Sequence, residues 1–286
     1  MKRLLFILIL ALCLTGCAVQ DPADIVATTK PVYDFTAFLC QGTDLKVGQL
    51  ITESVSCLHD YSLSVSQARS LEAAQTVVIS GAGLEDFMAD LLADCDNRID
   101  ASINVPVLAC TEHHAHDHDH EHETDSHIWL SPENARQMAQ NICAGLCAAY
   151  PEHADAFNEN LSVLLDKFEA LQMYAKETLS DLSSRELVTF HDGFGYMAYS
   201  FALEIAAAIE EESGSEASAK ELIELIELVQ THEIPAIFVE INGSTSASGI
   251  LAAETGVEVF ALDMGMASDY FEMMYHNIDT LKEALG

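Results

Sequence analysis

Six histidines, His113, His114, His116, His118, His120 and His122, stand in one short stretch of the chain. Asp117, Asp119 and Glu121 sit between them, and Glu112 and Glu123 flank them. Imidazole is the commonest protein metal ligand, and interleaved carboxylates add oxygen donors and negative charge. The run 112–123 has only Ala115 as an apolar residue, so it cannot enter a core. It reads as a solvated loop that attracts a borderline metal such as zinc weakly and exchangeably. The bland alternative is an acidic linker with no metal role.

A second set of residues is scattered but shares one kind of position. His59 lies in Ser56-Cys57-Leu58-His59-Asp60-Tyr61, and His127 in Asp125-Ser126-His127-Ile128-Trp129-Leu130-Ser131-Pro132. His191 follows Thr189-Phe190, and Asp263 follows Val259-Phe260-Ala261-Leu262. Each comes at the end of an expected strand or in the loop after it. Open parallel sheets bind ligands outside the carboxyl ends of their strands. Taken singly, each residue is better explained as a loop side chain satisfied by hydrogen bonds. If two lobes face each other, the four converge in one cleft.

The elements that must position them alternate between strand and helix, the pattern of parallel sheets covered by helices. Strands are expected at 24–29, 45–51, 76–80 and 105–108, with helices at 31–40, 66–74 and 84–93. Ser131-Pro132-Glu133 is a helix start, with Ser as N-cap and Pro in the first turn, and that helix runs to Ala149. Phe157, Leu161, Leu164, Leu165, Phe168 and Leu171 repeat at helical spacing in a longer segment without Gly or Pro, read as a rigid connector. The alternation then resumes, with strands at 187–190, 204–209, 236–240 and 258–262 and a closing helix at 269–285. The expected fold is α/β: two similar lobes with parallel sheets, one long connecting helix, and a metal cleft between the lobes. The division is a leader at 1–16, a tether at 17–23, an N-terminal lobe at 24–151 carrying the loop 112–123, a connecting helix at 152–182, and a C-terminal lobe at 183–286.

Composition narrows the function. The chain has 46 acidic residues against 12 Lys and Arg, a formal charge of −34, which repels nucleic acid. A hydrophobic fraction of 50% argues for a folded acidic protein. Lys2 and Arg3 precede the apolar stretch Leu4 to Leu14, which is too short to span a bilayer comfortably. Leu14-Thr15-Gly16-Cys17 then resembles a bacterial lipobox. That resemblance implies cleavage before Cys17, a lipid on Cys17, and anchorage to the outer face of the bacterial cytoplasmic membrane. The alternative is an ordinary secretory signal that contains a cysteine. Export permits disulfides among Cys40, Cys57, Cys95, Cys110, Cys143 and Cys147, but no CxxC framework indicates a thiolate zinc site. Cys143 and Cys147, four apart, read as buried helix thiols.

The motifs together resemble the zinc-type solute-binding lipoproteins of metal ABC transporters, the cluster A-I metal-binding family. The resemblance rests on His59-Asp60-Tyr61, the His-rich insertion, His127-Ile128-Trp129-Leu130-Ser131-Pro132 and Phe190-His191-Asp192-Gly193-Phe194-Gly195-Tyr196, in that order. It implies that His59, His127 and His191 are metal ligands. Asp263 matches a fourth position, where the family's Asp-Pro-Leu-Gly is replaced by Asp263-Met264-Gly265-Met266. Three imidazoles plus a carboxylate or water suit tetrahedral zinc, whereas manganese prefers more oxygen. Manganese-type relatives typically carry Glu at the position of His191. The implied protein is a monomer that is not an enzyme. It captures Zn2+ and hands it to an ABC permease, with Zn2+ as transported ligand. A manganese transporter component, a zinc hydrolase and a surface adhesin are the alternatives. No placed general base or hydrolase motif supports the second.

Asp60 and Asp192, beside two of the histidines, read either as groups that orient imidazoles or as loop caps. Gly193-Phe194-Gly195-Tyr196-Met197-Ala198 imitates a dinucleotide fingerprint, but His191 precedes it and an exported protein meets little NAD. His153, His232 and His276 read as surface or capping residues. Trp129 reads as core packing and Glu240 as a solvated strand end.

Overall fold

The computed structural model describes residues 23–53, 58, 61–93, 95–108, 124–210, 218–241, 246–266 and 268–286. Cys17 with its leader, His59, Asp60, Cys57, Cys110 and the tract 112–123 lie outside them.

Two parallel sheets organise the chain. The first contains β1 (Ile25–Ala27), β2 (Val47–Gln49), β3 (Thr76–Ile79) and β4 (Arg98–Asp100), in the order β2-β1-β3-β4. The second contains β5 (Glu186–His191), β6 (Glu204–Glu210), β7 (Ala236–Glu240) and β8 (Glu258–Leu262), in the order β6-β5-β7-β8. Both orders have the same form, so each sheet has one switch point, between β1 and β3 and between β5 and β7. Every strand pair is parallel. The central strands Ile25-Val26-Ala27, Thr76-Val77-Val78-Ile79 and Ala236-Ile237-Phe238-Val239-Glu240 are buried throughout, as expected where helices cover both faces.

The helices are α1 (Lys30–Leu39), α2 (Val65–Ala73), α3 (Ala89–Ala93), α4 (Pro132–Ala149), α5 (Ala154–Thr178), α6 (Gly195–Phe201), α7 (Ala219–Thr231), α8 (Ser246–Thr255) and α9 (Tyr270–Leu285). Helix α4 begins as its sequence dictates: the Ser131 hydroxyl accepts from Asn134 N at 3.3 Å, with Pro132 next. A 3-10 turn at Pro151–His153 leads into α5, the two-lobe connector. Its 25 residues extend roughly 37 Å. Phe157, Leu164, Phe168, Leu171 and Ala175 form its buried stripe.

Two expected elements differ. No strand covers 105–108: Val105 N bonds back to Ser102 O at 2.9 Å, and Pro106 has no N–H for a ladder. The fourth strand is Arg98–Asp100, whose polar ends conceal Ile99 as its one buried residue. The expected helix at 84–93 divides into a 3-10 turn at Asp86–Met88 and the short α3.

The main core runs without a break from the first sheet through α4 and α5 to α9 and one face of the second sheet. A smaller cluster lies on the other face of that sheet, where Val188, Phe190, Ile237 and Val239 meet α7 and α8. Aromatic rings join the lobes. Phe35 of α1 lies 4.8 Å from Tyr270 of α9, and Phe168 of α5 lies 5.1 Å from Phe271. Asp34 of α1 accepts from Tyr270 N at 3.0 Å, at the positive end of α9, and is bridged to Lys30. Burial raises its carboxyl above the ordinary value.

Candidate metal centre

His127 follows a β-bridge at Thr124 and precedes a 3-10 turn at Ile128–Leu130. It is buried, at 6% exposure. Its Nδ1 lies 2.8 Å from Asp125 Oδ1, and the same oxygen accepts the His127 backbone N–H at 2.9 Å. An ionised carboxylate only accepts, so Nδ1 is the donor in this contact. A carboxylate behind one ring nitrogen is the usual support of a metal-binding histidine. Asp125 was missed in the sequence, where its only signal is the pattern Asp-x-His.

Three distant segments meet at this histidine. The Trp129 indole, 5.4 Å from the imidazole ring, donates to Met264 O at 2.8 Å, immediately after Asp263. Trp129 O in turn accepts from the Tyr270 hydroxyl at 3.1 Å. From the other side comes the segment after His191. A Cβ on Gly195 would stand 3.2 Å from Asp125 Oδ2, so this glycine serves close packing on a carboxylate, not a dinucleotide. The Tyr196 hydroxyl donates to Asp125 O at 2.8 Å and accepts from Leu108 N at 2.9 Å. Asp125 N also donates to Leu108 O at 3.1 Å. The chain therefore leaves for the histidine tract and returns from it at one knot, beside His127.

Asp263 is buried at the carboxyl end of β8. Its Oδ1 accepts from Gly265 N at 2.7 Å, and its Oδ2 accepts from the Ser268 hydroxyl. Asn277 of α9 fixes its backbone, accepting from Asp263 N and donating to Asp263 O, each at 2.8 Å. Each carboxylate oxygen has two lone pairs, so both retain capacity for a cation. Gly265, at φ +79°, admits the Met273 methyl, which would be 2.9 Å from a Cβ.

His191 is the last residue of β5, and its backbone pairs with Glu210 of β6. Its side chain and all of His59 lie outside what is described. Among the described residues, no group of three or more His, Cys, Asp or Glu is placed to hold a metal. The accessory histidines His113 to His122 are likewise outside them.

Other expected features fall away from this centre. Cys143 is buried in α4, where burial pushes its thiol up to about 12. His153 pairs with Asp44 at 3.1 Å, and His232 caps α7 beside Glu186 at 3.3 Å. Glu240 is not a solvated strand end: it is buried, at 6% exposure. A second missed carboxylate, Glu85, fills the switch point of the first sheet. It accepts from the Thr28 hydroxyl at 2.6 Å, Ser80 N at 2.7 Å and Gly81 N at 2.9 Å, and burial pushes its carboxyl up to about 7.

Two parallel α/β lobes on a helical spine, with the His127 imidazole and the Asp263 carboxylate buried, are the architecture of a solute-binding protein. Residues 25–284 match the ZnuA family, zinc-uptake complex component A, periplasmic, and the chain belongs to it. It is 31% identical over 307 aligned positions to the zinc-binding lipoprotein AdcA of Streptococcus pneumoniae, covering 99% of this chain and 61% of that protein. The chain thus spans about three fifths of that curated relative. The crystal structure of ZnuA superposes with a TM-score of 0.82 at 26% identity, covering 93% of this chain and 100% of the other. The Zn(II)-bound ZnuA-like domain of Streptococcus pneumoniae AdcA gives a TM-score of 0.77 at 28% identity, with 92% and 98% covered.

Proposed function

We infer that this protein captures Zn2+ outside the cell and delivers it to an ABC permease for import, without catalysing a reaction. The observation that carries this is the buried His127, whose Nδ1 is held by the Asp125 carboxylate at 2.8 Å, the pairing typical of a metal-binding histidine. Membership of the zinc-uptake family supports the same reading. The ligands are His59, His127 and His191, with Asp263 as the fourth donor. Three imidazoles and one carboxylate favour zinc over the harder manganese. The tract 112–123 binds further metal weakly beside the centre, and a lipid on Cys17 holds the protein to the membrane surface. The lobes are the N-terminal 24–151 and the C-terminal 183–286. Among the described residues no helix is long and apolar enough to cross a membrane.

The test is competitive titration of signal-free protein with zinc and manganese, alongside His59→Ala, His127→Ala and His191→Ala. Tight zinc binding lost in each variant, with weaker manganese binding, is the expected result. Retention of tight zinc in all three variants overturns the site. Zinc-dependent hydrolysis of an ester or peptide abolished in His191→Ala overturns the transport role.

A further inference from the structure

Where the helical spine passes the C-terminal lobe, the fold leaves a half-open groove of about 900 Å3. Its walls come from the start of α4, the last turns of α5, the end of α6, and Pro106 and Leu108. Helix α6 is only seven residues long and ends at Ala202, whose left-handed backbone (φ +54°) turns the chain back toward β6. Arg185 spans the space between the two helix ends. Its guanidinium donates to Leu179 O after α5 at 3.1 Å, and to Phe201 O and Ala202 O at 3.2 and 3.3 Å. The groove is thus held open by bonds at one end and is not a gap in a loose core.

Its wall is mostly apolar, with Pro106, Leu108, Ala175, Leu179 and Phe201. The Tyr199 ring stands on the same wall and is 76% exposed. The charge on the wall departs from that of the chain. Lys and Arg number 12 against 46 acidic residues, yet both Lys176 and Arg185 line the groove. Among the described residues, Glu133 is the one acid there. It is already engaged, accepting from Gln172 Nε2 at 2.9 Å and paired with Arg136 at 3.6 Å. Lys176 has no hydrogen bond or ion pair among the described residues. Helix α4 opens on this wall with Ser131-Pro132-Glu133, which adds the positive end of its dipole. Small-molecule sites have this form: a concavity of roughly 300–1,000 Å3, apolar for the most part, with a few placed polar groups.

We propose that the groove binds a free fatty carboxylate, with the acyl chain along Leu108, Leu179 and Phe201 and the head group at Lys176. Charge decides the class of occupant: a cationic amphiphile is favoured over most of this acidic surface, but not here. His127 and Asp263 are not among the residues that line the groove, so the site is separate from the proposed metal centre. Its test is independent of the zinc reading.

The experiment is calorimetric titration of the full signal-free chain with octanoate and, as the uncharged counterpart, 1-octanol. The variants are Lys176→Gln, Ser200→Trp and Lys220→Gln, each checked for folding by circular dichroism. Wild type is expected to bind one octanoate saturably and octanol more weakly. Lys176→Gln weakens octanoate by about fivefold and leaves octanol unchanged. Ser200→Trp, which sets a bulky ring on the wall, weakens both. Lys220→Gln, which removes the same charge from α7, changes neither. Absence of saturable octanoate binding overturns the proposal, as does octanol bound as tightly as octanoate. Equal losses in Lys176→Gln and Lys220→Gln overturn it too, reducing the effect to net charge. Without octanoate binding, sedimentation with phosphatidylglycerol vesicles that Ser200→Trp abolishes assigns the groove to a membrane surface. A dimer abolished by that variant assigns it to a second copy of this chain. If Ser200→Trp does not fold, the contrast between octanoate and octanol in Lys176→Gln decides alone.

Discussion

Trp129 and Met264 stand 135 positions apart, and the indole N–H of the first donates to the carbonyl of the second at 2.8 Å. Trp129 has one polar atom and is almost fully buried, so this bond is its only route to satisfaction within the pair. The bond ties the His127 segment to the Asp263 loop. A change in either propagates to the other through one packed indole.

Replacing Trp129 with Phe keeps most of the packing but removes the donor. The Met264 carbonyl then loses its partner in a buried setting. A loss of about 1–3 kcal/mol in unfolding free energy is expected. Urea unfolding of the metal-free protein reads it, and an unchanged midpoint denies the bond an energetic role.

Asp125→Ala removes the acceptor behind His127 and frees its tautomer. Zinc affinity is expected to fall by about 10–100-fold, with the metal-free fold retained. Chelator competition measures the first, and far-UV circular dichroism the second. Equal zinc affinity in variant and wild type contradicts the proposed role of Asp125.

Glu85 gives a pH dependence with a definite sign. Its carboxyl is raised from 4.5 to about 7 by burial, so the folded state holds the proton more tightly than the unfolded state. Its contribution is complete below about pH 4.5 and is lost as pH rises through about 7. Glu85→Gln mimics the protonated form and is expected to flatten this slope. The comparison is unfolding midpoints at about pH 5 and about pH 8 in both proteins. The idea fails if the two proteins lose stability equally over that interval.

Deleting residues 112–123 is expected to lower zinc stoichiometry while leaving one tight site. Isothermal titration resolves the two classes. Loss of the tight site with the deletion would place the main ligands in the tract.

Much of this architecture is legible in the amino acids. Strands β7 and β8 have the ends that their apolar runs and flanking turns suggest, because a buried parallel strand leaves an uninterrupted hydrophobic signal. The stretch Val105-Pro106-Val107-Leu108 gives the same signal without a strand, because hydrophobicity does not report the missing proline donor. Arg98-Ile99-Asp100 is the converse, a strand whose polar ends look like a turn. At the site, His127 is legible from its motif, and Asp125 is not. Support of the His127 ring depends on how the turn folds Asp125 back onto it, which no residue spacing encodes. The Trp129–Met264 bond joins residues whose proximity no local pattern encodes. Glu240 looked exposed because strand ends usually are, and only the sheet's neighbouring strands enclose it.

The knot at Leu108, Asp125 and Tyr196 makes the histidine tract a cassette. Its two attachment points are one backbone hydrogen bond apart, and one tyrosine hydroxyl clamps both. What hangs from such a root can grow, shrink or change composition at a loop-closure cost that rises only slowly with length. An insert at this root can thus change without disturbing the bonds among Leu108, Asp125 and Tyr196 that hold its two ends. The same root offers a port for grafting a foreign peptide into this scaffold.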